Sequence, residues 1–156
     1  MCIDVTDKRR GPDVKHLTAG AYRKMYGKKL FQSYFKFAVV RNPYDRLLSY
    51  YCFKFKIKKN RNDLNICESH FAGFVKQQKT QQCWLSKSVH LVRFENLVAG
   101  LKALEVFEGV TTFDDFPVLN ASANSNWDWQ QVYTQRMRDA VYLRHRSDFE
   151  TLGYSR

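Results

Sequence analysis

The chain has 156 residues, the size of one ordinary domain, and can bury a core without disulfide or metal staples. Hydrophobic residues make up 44% and charged residues 26%, which excludes a disordered tail and a bilayer-spanning chain. The net charge of +11 is concentrated: residues 1–79 hold 18 Lys/Arg and 6 Asp/Glu, a net of +12, while residues 80–156 hold 8 and 9, a net of −1. An electrostatic function therefore belongs to the first half. Its partner classes are nucleic acid, an acidic polysaccharide, a nucleotide or an anionic membrane.

Residues 1–14, MCIDVTDKRRGPDV, are charged and read as a loose lead-in, with no apolar stretch of a signal peptide. No apolar run approaches the ~20 residues of a membrane helix. The four cysteines, Cys2, Cys52, Cys67 and Cys83, form no CxxC pair and lack a histidine at zinc-finger spacing. No metal site is expected, and buried free thiols are expected rather than a disulfide framework.

Residues 17–27 read as a helix with Leu17, Ala21, Met25 and Tyr22 on one face, stopped by Gly27. Residues 34–40, YFKFAVV, read as a strand buried between two layers. In Arg41-Asn42-Pro43, Asn42 suits an N-cap and Pro43 the first helical position. Asp45 complements the dipole of the helix that follows. Leu47, Leu48, Tyr51, Cys52 and Phe55 then recur at helical spacing to about residue 56. Strand, tight turn and helix are the unit of an α/β fold.

The helix runs out into KFKIKKNRN, where Lys54, Lys56, Lys58, Lys59 and Arg61 meet no acid. This is either a solvated basic helix end or a rim that captures an anionic acceptor; the interleaved Phe53, Phe55 and Ile57 suit the second. A helix over 66–78 would pack through Ile66, Phe71, Phe74 and Val75. Residues 89–94, VHLVRF, read as a second buried strand, with Asn96 capping a helix through Leu97, Leu101, Leu104 and Phe107. Residues 111–129 read as a long loop, followed by a last helix over about 130–148 with Gly153 beyond it.

Arg41 stands at the carboxyl end of the first strand, where open α/β sheets bind ligands. The helix that starts there offers free N–H groups and a positive dipole end, and the guanidinium is a planar fork suited to phosphate. Ser49 adds a hydroxyl on that helix, and Arg46, three residues before it, shares its face. The competing reading is structural, with Arg41 pairing with Asp45 and Ser49 simply lying on the helix surface.

RNPYDRLLSYY resembles the 3′-phosphate-binding motif of sulfotransferases that use 3′-phosphoadenosine 5′-phosphosulfate (PAPS), especially the carbohydrate sulfotransferase branch. The run KHLTAGAYRKMYGKKLFQSYFKFAVVRNPYDR, the segment VHLVRFENL and the tail LRHRSDFETLGY resemble the same family in the same order, over about residues 15–154. The resemblance implies a P-loop-type three-layer α/β sandwich with a parallel sheet. It implies sulfuryl transfer from PAPS to a hydroxyl of a carbohydrate-type acceptor, without a metal, and Arg41 and Ser49 as ligands of the nucleotide 3′-phosphate.

Some carbohydrate sulfotransferases carry a catalytic histidine between their two nucleotide motifs, the interval that His16 occupies; a solvent-exposed or capping histidine is the alternative. His70 is a weaker alternative base, and His90 reads as structural. Glu95, after the second strand, is a base or a helix-start charge. Lys56, Lys58 and Lys59 form the substrate rim, suited to an anionic acceptor.

The family's opening strand and its Lys/Gly loop for the 5′-phosphosulfate have no match in residues 1–20. The expectation is a sheet missing its first strand, from a truncated or shortened chain, with autonomous activity in doubt and a homodimer as one way to fill the gap. Family members are often membrane-associated, whereas this chain reads as soluble or peripheral. The alternative function is a non-catalytic basic module that holds a sulfated glycan or RNA; no RNA-binding signature is present, so nucleic acid is not the first choice.

Overall fold

A computed structural model describes residues 17–57, 66–110 and 128–156. In chain order the elements are α1 (Ala19–Tyr26), α2 (Lys28–Ser33), β1 (Phe37–Val40), α3 (Pro43–Lys54), α4 (Glu68–Gln77), β2 (His90–Arg93), α5 (Leu97–Lys102), α6 (Trp129–Val132) and α7 (Gln135–Leu152). They fall into two compact units. One joins the chain up to Val40 with Gln81–Glu108, and the other joins Arg41–Thr80 with Gly109–Arg156.

In the first unit, β1 and β2 pair in parallel, Phe37 opposite His90 and Val40 opposite Arg93. Helices with a small parallel sheet are the α/β class expected. The expectation that both strands are buried on both faces is not met. Val40 and Val92 are buried, but Val39 and Leu91 are 45% and 46% exposed. Among the described residues the sheet has two strands and so no interior one, and α5 closes on it where Gly100 meets Val92. Phe37 adds an edge-on contact to Phe107, with ring centroids 5.6 Å apart.

The helix expected over 17–27 ends at Tyr26, because Gly27 takes a φ of +82°, a conformation glycine adopts without a Cβ penalty. Thr18 caps its start, accepting from the Ala21 amide at 3.2 Å. Of its residues only Ala19 is buried, since two turns are too short to build the stripe of Leu17, Ala21 and Met25. The short α2 follows at once and was not foreseen. The helix expected from Asn96 is also divided. Asn96 makes no side-chain cap, a 3₁₀ turn (Phe94–Asn96) leads into α5, and another (Glu105–Phe107) follows it.

The second unit is a helical packing around α3. Leu47, Leu48, Tyr51 and Cys52 of α3, Phe71, Phe74 and Val75 of α4, and Met137, Val141 and Phe149 of α7 share one buried cluster with Ile66 and Tyr133. These positions follow the 3.6-residue period of their helices. The expected final helix is two: α6 ends at Val132, and Thr134 caps α7 by accepting from the Met137 amide. Gly153, left-handed at φ +67°, closes α7.

Cys52, Cys67 and Cys83 are free thiols; Cys52 alone is buried, and Cys67 is exposed. Among the described residues no helix is long and apolar enough to cross a membrane, and no group of three or more His, Cys, Asp or Glu is placed to hold a metal ion.

Candidate functional site

The motif singled out in the sequence forms the entrance of α3, within the second unit. Arg41 follows Val40, the last residue of β1. Asn42 leaves the helical conformation, and its side-chain oxygen accepts from the Tyr44 amide at 2.9 Å. Pro43 occupies the first helical position, where its missing N–H costs nothing. Pro43 has no N–H, the Tyr44 amide donates to the Asn42 side chain and the Arg46 amide to the Asn42 carbonyl at 2.9 Å; the positive end of the helix dipole makes this end a place for negative charge.

Arg41 and Ser49 are both half-buried. Ser49 lies six residues beyond Pro43, about 9 Å along the axis. Cα–Cβ bonds in a helix tilt toward its N-terminus, which for Ser49 is the Arg41 end.

Arg46 does not join them as its shared face with Ser49 suggested. Its Nη2 donates to the Lys79 carbonyl at 3.0 Å and lies 3.9 Å from Asp148 Oδ2 and 3.4 Å from His145 Nδ1. His145 and Asp148 are fully buried on α7, with their Nδ1 and Oδ2 3.5 Å apart.

The first turn of α3 is held from the same side by aromatic rings. Tyr44 stacks on Trp129 with centroids 4.3 Å apart and meets Phe149 at 4.9 Å. The Tyr133 hydroxyl donates to the Tyr44 carbonyl at 3.0 Å. Burial pushes the phenols of Tyr44 and Tyr51 up, and that of Tyr133 well above its usual value.

At the far end of α3, Tyr50, Phe53, Lys54, Lys56 and Ile57 line an open depression of about 600 Å³. Phe53 is 77% exposed. The Lys54 ammonium lies 5.7 and 5.6 Å from the ring centroids of Phe55 and Phe74. Lys56 is exposed and takes a φ of +51° just beyond the helix. Lys58, Lys59 and His16 lie outside the described residues.

Of the other histidines, His70 is exposed, with Nδ1 2.6 Å from the Tyr51 hydroxyl. His90, expected at the start of a buried strand, is exposed instead and stacks on Phe35 at 4.7 Å. Glu95 sits exposed in the 3₁₀ turn after β2, in the first unit. The exposed Cys67 thiol is lowered from its usual pKa, first by the hydrogen bond from Ser69.

The second unit thus places Arg41 and Asn42 at the start of α3, Ser49 within it and Lys56 beyond its opposite end. Asp148 and His145 went unnoticed in the sequence. Their signal was their register: with Met137, Val141 and Leu152 they occupy the buried stripe of α7, where a polar side chain needs a partner.

The family model described as "Sulfotransferase family" matches residues 12–115. The chain belongs to the sulfotransferase family. The matched stretch contains Arg41, Ser49, His16, Glu95 and the lysine rim, and ends before α6 and α7. No curated protein and no solved structure matches the chain significantly.

Proposed function

We propose that this sulfotransferase-family chain binds PAPS and transfers its sulfuryl group to a hydroxyl of a carbohydrate-type acceptor. The observation that carries the reading is the entrance of α3: an arginine, an asparagine-capped helix start and a serine two turns on, inside the matched stretch. Arg41 and Ser49 hold the 3′-phosphate. Transfer is in line: the acceptor oxygen attacks sulfur, the bond from sulfur to the 5′-phosphate oxygen breaks, and that oxygen keeps the electron pair. Positioning and positive charge supply most of the rate in such a step. His16 or Glu95 takes the acceptor proton.

The rim of Lys56, Lys58 and Lys59, with the aromatic-lined depression beside Lys56, suits an anionic sugar. The fold reading that accompanies this function is a P-loop-type sandwich over residues 15–156, with β1 and β2 as two strands of its parallel sheet. A homodimer is the assembly that accompanies this reading. The chain would act as a soluble or peripheral protein.

The test is calorimetric titration with 3′-phosphoadenosine 5′-phosphate. Removing a charge-assisted contact to phosphate costs about 1.5–3 kcal/mol, so Arg41→Ala should weaken binding roughly ten- to hundredfold with an unchanged circular dichroism spectrum. A folded Arg41→Ala protein with wild-type affinity removes the site. The competing polyanion module follows from the +12 charge of residues 1–79. It requires instead a steep salt slope and indifference to Arg41. Incubation with PAPS and a panel of acidic and neutral glycans tests whether these 156 residues complete transfer on their own.

A further inference from the structure

We propose that Asp148 is a positioning residue for the 3′-phosphate site: through Arg46 it fixes the entrance of α3, and with it Arg41 and Ser49, in the orientation that receives the phosphate. The inference rests on the nucleotide reading given above. It starts from a polar cluster in an apolar place. Asp148 and His145 are both fully buried within the apolar stripe of α7. A buried carboxylate is retained only where cations or donors compensate its desolvation. Here the guanidinium of Arg46 lies 3.9 Å from Asp148 Oδ2, and His145 Nδ1 lies 3.5 Å from the same oxygen.

Arg46 links three elements. Its backbone lies in the first turns of α3, its Nη2 donates to the Lys79 carbonyl just beyond α4, and the same nitrogen faces His145 and Asp148 on α7. All three contacts converge on one nitrogen of the guanidinium, which ties the side chain at Nη2 to α7 and to the residue just beyond α4. α3 is therefore restrained in rotation about its own axis by a group five residues from Arg41 and three from Ser49.

The backbone of α7 is shaped around this cluster. His145 departs from helical geometry, at φ −113° and ψ 22°. Its Nε2 is buried without a hydrogen-bond partner among the described residues. An unpaired buried polar atom is costly, so the ring is placed for what Nδ1 does, beside Arg46 and Asp148. Phe149, next to Asp148, packs on Tyr44, so one turn of α7 grips α3 by charge and by an aromatic contact together.

The experiment compares the affinities of 3′-phosphoadenosine 5′-phosphate and adenosine 5′-phosphate, which differ only in the 3′-phosphate, by calorimetry. Proteins are wild type, Asp148→Asn and Asp148→Glu. Asp148→Asn keeps the shape and removes the charge. The expected result is about a tenfold fall in the preference for the 3′-phosphorylated nucleotide, with adenosine 5′-phosphate affinity unchanged and partial recovery in Asp148→Glu.

An unchanged preference in a folded Asp148→Asn protein overturns the inference. So does an equal loss for both nucleotides, which marks general loosening. If Asp148→Asn does not fold, Arg46→Lys keeps the charge and loses the fork; a reduced preference supports the inference and an unreduced one overturns it. A wild-type protein that binds both nucleotides equally removes the nucleotide reading and the positioning role with it, whereas a wild-type preference that survives substitution removes the positioning role alone.

Discussion

Replacing Tyr133 by Phe should destabilise the protein at neutral pH and stabilise it in strong alkali. Tyr133 is buried, 5.0 Å from Phe71 between ring centroids, and its hydroxyl donates to the Tyr44 carbonyl at 3.0 Å. Phenylalanine keeps the ring and loses the hydrogen bond. The Tyr44 carbonyl retains its place in the α3 ladder, so no orphan is created and the loss is about 1 kcal/mol. For a chain of this length that lowers Tm by about 2–4 °C.

The pH dependence follows from proton counting. Burial holds the folded phenol well above its ordinary value, while the unfolded phenol ionises near pH 10. Above that pH the unfolded chain binds fewer protons than the folded one. The stability of the wild type then falls by up to about 1.4 kcal/mol per pH unit for this group. Phenylalanine is exempt. The raised phenols of Tyr44 and Tyr51 titrate in both proteins and cancel in the difference. The 1 kcal/mol deficit of the variant should vanish within about one unit above pH 10 and then change sign. Urea denaturation at pH 7, 9 and 11 measures it. A difference that stays constant across this range refutes the burial of the phenol, and no difference at pH 7 refutes the hydrogen bond.

Asn42→Ala removes the oxygen that accepts from Tyr44 and should cost about 1 kcal/mol; Asn42→Asp, which keeps the oxygen, should recover most of it in thermal melts. An alanine variant as stable as wild type would show that the cap contributes nothing. Gly100→Ala sets two effects against each other. Helix propensity favours alanine by about 1 kcal/mol, but the new Cβ would stand 2.7 Å from Val92 Cγ1, and overpacking costs about 1–3 kcal/mol. Chemical denaturation should show a net loss, relieved by adding Val92→Ala; a net gain from Gly100→Ala alone would mean that α5 does not press on β2.

The elements legible in the sequence are those whose signals are local. Asn42, Pro43 and Asp45 announce the start of α3, and Leu47, Leu48, Tyr51 and Cys52 its buried face, as found, whereas Phe55, expected on that face of a helix running to about 56, is exposed at the C-cap because α3 ends at Lys54. α4 was legible for the same reason, through Phe71, Phe74 and Val75. The misreadings arise where one signal has two meanings. An apolar run of four residues looks the same in a central strand and in a two-stranded sheet, so Val39 and Leu91 were placed in a core they do not enter. Asn96 has the chemistry of a cap but precedes a helix entered through a 3₁₀ turn, and its side chain makes no cap hydrogen bond there. Thr134 went unread because Tyr133 and Met137 span the break between α6 and α7 without interrupting the apolar pattern.

The candidate site divides along the same line, and the division has a physical consequence. The groups that would meet a phosphate lie within nine residues, from Arg41 to Ser49, which is why a motif could carry them. The contact of Arg46 with His145 joins residues 99 positions apart, and no local pattern encodes it. Yet α3 has only 12 residues, below the length at which an isolated helix is stable in water. Its first turn keeps its direction only while α4, α6 and α7 hold it. Under the proposed reading, affinity for the 3′-phosphate would therefore be a property of the whole second unit, and Asp148 would govern it through Arg46 and His145. A peptide of residues 34–57 would contain every ligand of the motif and none of the contacts from α4, α6 and α7 that aim them.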